Sequence, residues 1–194
     1  MGAPDRLTFD ERTHEYRVGG SRVPGVTAVL RQLVDFSRVP AAVLAAKADL
    51  GRRVHFACQL HDEDDLDEGS IEPDVAPYLI AYRRFLADTR AAVTANERQV
   101  FDPVFRFAGT LDRVMLLNGE QWLVDIKTSI ATPATTGPQT AAYLHALDDL
   151  EVTRRAALRL RADGTYRFDP LNDPNDWSVF LAALTLHRYS ETIA

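Results

Sequence analysis

The spacing of apolar positions changes character several times along the chain. Over residues 7–24, LTFDERTHEYRVGGSRVP, it is short and alternating. Tyr16 and Val18 lie between polar neighbours, and Gly19–Gly20 suits a turn with positive φ. This predicts short strands around turns, an N-terminal β-hairpin over 1–24 appended to the rest. Residues 26–34, VTAVLRQLV, predict a short helix with Thr27 near its start. Pro40 is placed to open a helix at its first turn, and the Ala- and Leu-rich run after it continues to residue 60. Gly51 and His55 lie four apart on one face of that helix. The acidic residues that follow are expected to end it in solvent. Over 74–93, Tyr78, Tyr82, Phe85 and Leu86 recur at spacings of three and four, which predicts another helix with its aromatics in the core.

Near residue 95 the period falls to two. Residues 95–103 and 104–119 predict two antiparallel strands joined across Asp102–Pro103. In the second, Phe105, Phe107, Gly109 and Leu111 alternate with Arg106, Ala108, Thr110 and Asp112. Asn118–Gly119 is a strong hairpin signal, and 121–129 is the third strand. Then come a helix over 137–150, a hairpin over 157–168 turning at Asp163–Gly164, and an amphipathic helix over 175–189. The order predicts an α/β (α+β) fold in which helices cover a sheet.

Composition narrows this further. At about 150 residues per domain, 194 residues predict a single domain over 1–194. Hydrophobic residues at 46% against 26% charged exclude a disordered chain. The net charge of −6 excludes a basic nucleic-acid coat, but the excess is local. Asp62, Glu63, Asp64, Asp65, Asp67 and Glu68 supply it, so a basic groove elsewhere stays open. Arg52, Arg53, Arg106 and Arg113 are candidate phosphate contacts, and Arg83, Arg84 and Arg90 face either phosphate or solvent. Cys58 is the only cysteine, which excludes an intrachain disulfide and a cysteine-ligated iron–sulfur cluster. With no apolar leader in the first residues and no apolar run near about 18 residues, a cytoplasmic protein without a membrane span is expected.

The chemistry concentrates in residues 109–127, GTLDRVMLLNGEQWLVDIK. On a strand, Asp125 and Lys127 share one face and Ile126 takes the other. A hairpin at Asn118–Gly119 brings Asp112 near Asp125 across the strands. Two carboxylates this close repel, and a divalent cation such as Mg²⁺ resolves the repulsion. The backbone carbonyl of Ile126 is a further oxygen ligand, and Lys127 orients a water or offsets phosphorane charge. An ordinary solvated Asp–Lys sheet face would carry the same letters. His55 is either a packed helical histidine or a nitrogen ligand. Glu97 lies on the preceding strand. Gln139 and Tyr143, four apart on the next helix, share a face beside the same strand end.

In order and spacing, GRRVH at 51–55, Glu97, GTLD at 109–112, DIK at 125–127 and QTAAY at 139–143 resemble the PD-(D/E)XK nuclease superfamily. The nearer likeness is to its RecB-like and lambda-exonuclease-like branch, and the opening FDERTHEY…GGSRVPGVTAVL looks like phage and prophage members. The resemblance implies a restriction-endonuclease-like core over 40–190, with a central mixed sheet flanked by helices. It implies Mg²⁺ or Mn²⁺ held by His55, Asp112, Asp125 and the Ile126 carbonyl, with Lys127 as catalytic lysine. Gln139 and Tyr143 would assist substrate binding and catalysis, and Glu97 would be accessory. The activity implied is a metal-dependent deoxyribonuclease, exonuclease in type, leaving 5′-phosphate and 3′-hydroxyl ends in recombination or repair. DNA is the implied partner, together with a helicase or a single-strand annealing protein. A ring-shaped homo-oligomer would be one route to processivity. The alternative is a catalytically inactive binding or assembly module on the same fold.

Overall fold

A computed structural model describes residues 6–193, so residues 1–5 of the expected N-terminal hairpin over 1–24 lie outside the described residues. The N-terminal segment forms β1 (Leu7–Asp10), β2 (Glu15–Val18) and β3 (Ser21–Val23), three antiparallel strands where a hairpin was expected. The sequence GGSRV after the Gly19–Gly20 turn is long enough to return as a third strand, pairing Tyr16 with Val23. This small sheet is tied to the main one. Tyr16 Oη lies 2.9 Å from Thr110 Oγ1, and Gly25 bridges to Ala108.

The helices are α1 (Val26–Leu30), α2 (Ala41–Asp62), α3 (Ala76–Thr89), α4 (Thr136–Ala146) and α5 (Asp176–Ile193). A 3-10 turn, Arg31–Leu33, extends α1. None is long and apolar enough to cross a membrane. α3 stops four residues short of the expected end. Arg90 takes a left-handed conformation (φ 56°), and its N–H donates to the Leu86 carbonyl, closing the helix as a glycine normally would.

The main sheet is mixed, in the order β4 (Ala92–Asp102), β5 (Phe107–Leu117), β6 (Glu120–Lys127), β7 (Val152–Leu160) and β8 (Tyr166–Pro170). Only β6 and β7 run parallel, and α4 is their crossover. One face buries Val54, Cys58, Leu79, Tyr82 and Phe85 of α2 and α3 against Met115, Val124 and Ile126. The other buries Val29 of α1, Ala142 of α4 and Phe180 of α5 against Phe107, Leu111 and Leu123. A mixed sheet covered by helices on both faces is the α/β architecture that the order of elements predicts.

The alternation of β5 slips in the middle. Strict period two would put Leu111, Met115 and Leu117 on one face. Instead Leu111 and Val114 pack with α4 and α5, while Met115 and Leu117 pack with α2 and α3. The slip falls on Asp112–Arg113. Opposite it on β4, Glu97 is in the left-handed region (φ 41°), between the ladder pairs Asn96–Arg113 and Arg98–Leu111. A left-handed glutamate costs on the order of 1 kcal/mol or more, and such strain collects at functional sites.

Candidate active site

Glu97 and Asp112 are placed by departures from regular strand pairing. The β5–β6 ladder ends with Arg113–Val124, and one step further Asp112 falls opposite Asp125. Asp112 does not pair there through its backbone. Its Oδ2 accepts the N–H of Ile126 at 2.7 Å, standing in for a strand carbonyl. The opening admits His55 of α2, whose Nε2 donates to the Ile126 carbonyl at 2.9 Å. That bond puts the proton on Nε2 and turns Nδ1 toward Asp112 Oδ1, 3.6 Å away. One ligand atom each from His55, Glu97 and Asp112 lies within 4.8 Å of the others.

Asp125, expected as a ligand, stands outside that group of three. It is almost fully buried, and its Oδ2 is 2.6 Å from Lys127 Nζ. Beyond that ion pair, neither of its oxygens accepts a hydrogen bond from the described residues. A buried carboxylate with a single partner has lone pairs left over, and a second cation can take them. The donor set thus fits a hard divalent ion: the spare capacity of Asp125, two further carboxylates and one imidazole nitrogen. The Ile126 carbonyl keeps one lone pair beyond the bond from His55.

Burial pushes the Asp125 carboxyl up to about 6, with Lys127 opposing and Asp112 adding to the rise. An unfolded aspartate titrates near about 4. Between these values the folded state holds more protons than the unfolded one, so stability falls as pH rises through that window. Melting temperatures measured without divalent cation are expected to show this fall. Asp125→Asn is expected to flatten it.

Lys127 lies at the strand end, half-buried, with Nζ 3.3 Å from Gln139 Oε1. Burial works against its charge, but Asp125 and Asp112 outweigh that and hold the ammonium above its ordinary value. Gln139 Nε2 donates to Tyr143 Oη at 3.3 Å, so Lys127, Gln139 and Tyr143 form one chain of contacts. Burial raises the Tyr143 hydroxyl well above its usual value, and it stays protonated. The i,i+4 reading of α4 therefore places both side chains beside Lys127.

Gly109 explains how Tyr143 reaches the sheet. A Cβ built at Gly109 would run into the Tyr143 ring, so only glycine lets the ring lie on β5. Gly109→Ala is expected to displace Tyr143 at a cost of about 1–3 kcal/mol. That lowers the melting temperature by roughly 3–10 °C, measurable by calorimetry.

Sequence reasoning missed the support behind Glu97. Arg113 has no exposed side-chain surface. Its Nε donates to Asp62 Oδ2 at 2.7 Å, and its Nη1 donates to Glu97 Oε1 at 3.0 Å and to the Asp112 carbonyl at 2.7 Å. Tyr82 Oη donates to both Asp62 oxygens. Arg113, expected at phosphate, is therefore a buried anchor, and Asp62, expected in solvent, is its counter-ion. Burial raises the Asp62 carboxyl even against Arg113, and burial with Asp112 raises Glu97. Arg53 is also spoken for, held by Asp49, Glu72 and Asp74. Arg106 is exposed on the β4–β5 turn, away from the site. Of the four arginines, Arg52 alone lines the cleft.

No protein-family model matches this chain, and no curated protein sequence matches it.

The cleft over these residues has a volume of about 700 Å³. His55, Glu97, Asp112, Lys127, Gln139 and Tyr143 all line it, with Asp125 buried behind Lys127. The N-terminal sheet supplies part of the wall through Phe9, His14 and Tyr16, and α2 supplies Gly51, Arg52 and Phe56. His14, a left-handed turn residue (φ 56°), stands at this wall with its ring edge-on to Phe9. The arrangement gathers carboxylates for a hard cation, a charged lysine and two neutral hydrogen-bonding groups in one solvent-accessible space.

Proposed function

We propose that the protein is a divalent-metal-dependent deoxyribonuclease of the PD-(D/E)XK type that hydrolyses phosphodiesters, exonucleolytic in action. The observation that carries the reading is the meeting of Glu97, Asp112 and His55 beside the buried Asp125–Lys127 pair. Carboxylates gathered this closely repel one another, and one ammonium offsets only part of that charge.

His55 Nδ1, Asp112, Asp125 and Glu97 would hold Mg²⁺ or Mn²⁺. When bound, the ion supplies Lewis-acid activation of water and neutralises phosphate charge. The chain's own groups do the rest. Lys127 stays an ammonium and donates to the entering water or to a non-bridging phosphate oxygen as charge builds there. Tyr143 keeps its proton and receives the Gln139 amide, so its O–H is free to donate to phosphate. Gln139 fixes Lys127 through Oε1.

Two measurements test this together. Calorimetric titration with Mn²⁺ is expected to show binding that Asp112→Asn abolishes. Saturation to about 100 times Kd should raise stability by about 2.7 kcal/mol. Incubation of end-labelled linear DNA with Mg²⁺ or Mn²⁺ is expected to release products with 5′-phosphates. Metal binding without any cleavage of single- or double-stranded DNA would leave a binding module on this fold. Neither binding nor cleavage would end the proposal.

A further inference from the structure

We infer that the cleft accepts nucleic acid as a single strand and holds it by its bases, on an aromatic wall formed by β1, β2 and Phe56. The inference rests on the nuclease reading and names its substrate. Charge points first in this direction. Among the described residues, Arg52 and Lys127 are the only lysine or arginine side chains lining the cleft. Each already has a carboxylate: Asp49 lies 2.9 Å from Arg52, and Asp125 lies 2.6 Å from Lys127. Glu11, Glu97 and Asp112 line the same space. Proteins that grip duplex DNA draw their affinity from many phosphate contacts, commonly about six to ten. This cleft offers two cations.

What it offers instead is aromatic surface. Phe9 stacks on Tyr16 with ring centroids 4.5 Å apart, and His14 meets Phe9 edge-on at 5.1 Å. The platform is rigid at its base. Tyr16 is buried and bonded through its hydroxyl to Thr110, two residues before Asp112 on the same strand. Phe9 is half-buried and His14 exposed, so their free surfaces face the cleft with little side-chain freedom left to lose. From α2, Phe56 adds a ring that is 59% exposed, next in sequence to His55 and one helical turn beyond Arg52. Every base has a π-face, so stacking tolerates any sequence, but bases paired in a duplex keep their faces covered. Groups of this kind select an unpaired strand end.

The test reads binding apart from turnover. A 12-nucleotide single strand carrying 2-aminopurine is titrated with Ca²⁺ in place of Mg²⁺, against wild type, Phe56→Ala and Phe9→Ala. Phe56→Ala is expected to raise Kd about tenfold without changing the melting temperature. The plot of log Kobs against log[salt] should be shallow, near about −1.4 for two phosphate contacts. A blunt duplex of equal length should bind at least about tenfold more weakly. An unchanged Kd in Phe56→Ala, or a duplex bound as tightly as the strand, would overturn the inference while leaving cleavage intact. Phe56-dependent binding with no cleavage in Mg²⁺ or Mn²⁺ would instead sink the nuclease reading and keep the single-strand site. Loss of both binding and cleavage in the wild type would remove the two together.

Discussion

Alanine at position 127 is expected to slow phosphodiester cleavage by about 10³-fold. The substitution removes the only ammonium at the site, and the two groups left there, Gln139 and Tyr143, are neutral. The fold should survive. Losing a buried ion pair usually leaves the partner charge stranded. Here the partner is Asp125, whose carboxyl burial already raises and Lys127 holds down, so without the ammonium it takes up a proton more readily and can neutralise in place. A melting temperature within a few degrees of wild type, together with the loss of rate, is the expected pair of results. Lys127→Ala with undiminished cleavage would move the chemistry elsewhere in the cleft. Lys127→Arg should recover little, because a planar fork cannot occupy the position of a compact ammonium 2.6 Å from Asp125 and 3.3 Å from Gln139.

The second large effect belongs to Arg113. Arg113→Met strips the buried Asp62 and the cleft-lining Glu97 of their common counter-ion. Breaking a buried pair from one side costs about 3–5 kcal/mol. For a chain of this length that is a fall on the order of 10 °C in melting temperature. Cleavage should fall as well, since Glu97 is held in its left-handed conformation by the Arg113 bond. The double variant Arg113→Met/Asp62→Leu separates the two effects. It removes the stranded Asp62 charge and should regain part of the stability. Activity should stay low, because Glu97 still lacks its anchor. Recovery of both would show that Arg113 serves the fold alone.

These expectations draw on features that the amino-acid sequence discloses to different degrees. The strand periodicity of 121–127 and the i,i+4 pair on α4 are local signals, and they place Lys127, Gln139 and Tyr143 together. Asn118–Gly119 fixes a hairpin, and from it the approach of Asp112 to the end of β6 follows. Four things are not legible. Arg90 ends α3 in a conformation that glycine normally marks, so the helix looked longer. The slip at Asp112–Arg113 leads into the apolar run VMLL, whose residues suit either face of a sheet covered on both sides. Arg113 and Asp62 are letters that usually mean solvent, and Asp62 heads a string of acids that does face water. The charged pair inside GTLDRVMLL was the one hint, since an arginine in the middle of a covered strand must find a buried partner. The joining of the N-terminal strands to the cleft depends on contacts 94 residues apart, which no local pattern encodes.

The bond from the Ile126 amide to Asp112 has a spectroscopic consequence. In most strands an amide proton reports on a neighbouring peptide, which never changes charge. This one points at a carboxylate whose electron density would shift on binding the proposed ion. Its nitrogen-15 resonance, read in isotopically enriched protein, is therefore an expected gauge of loading at the centre that needs no altered residue.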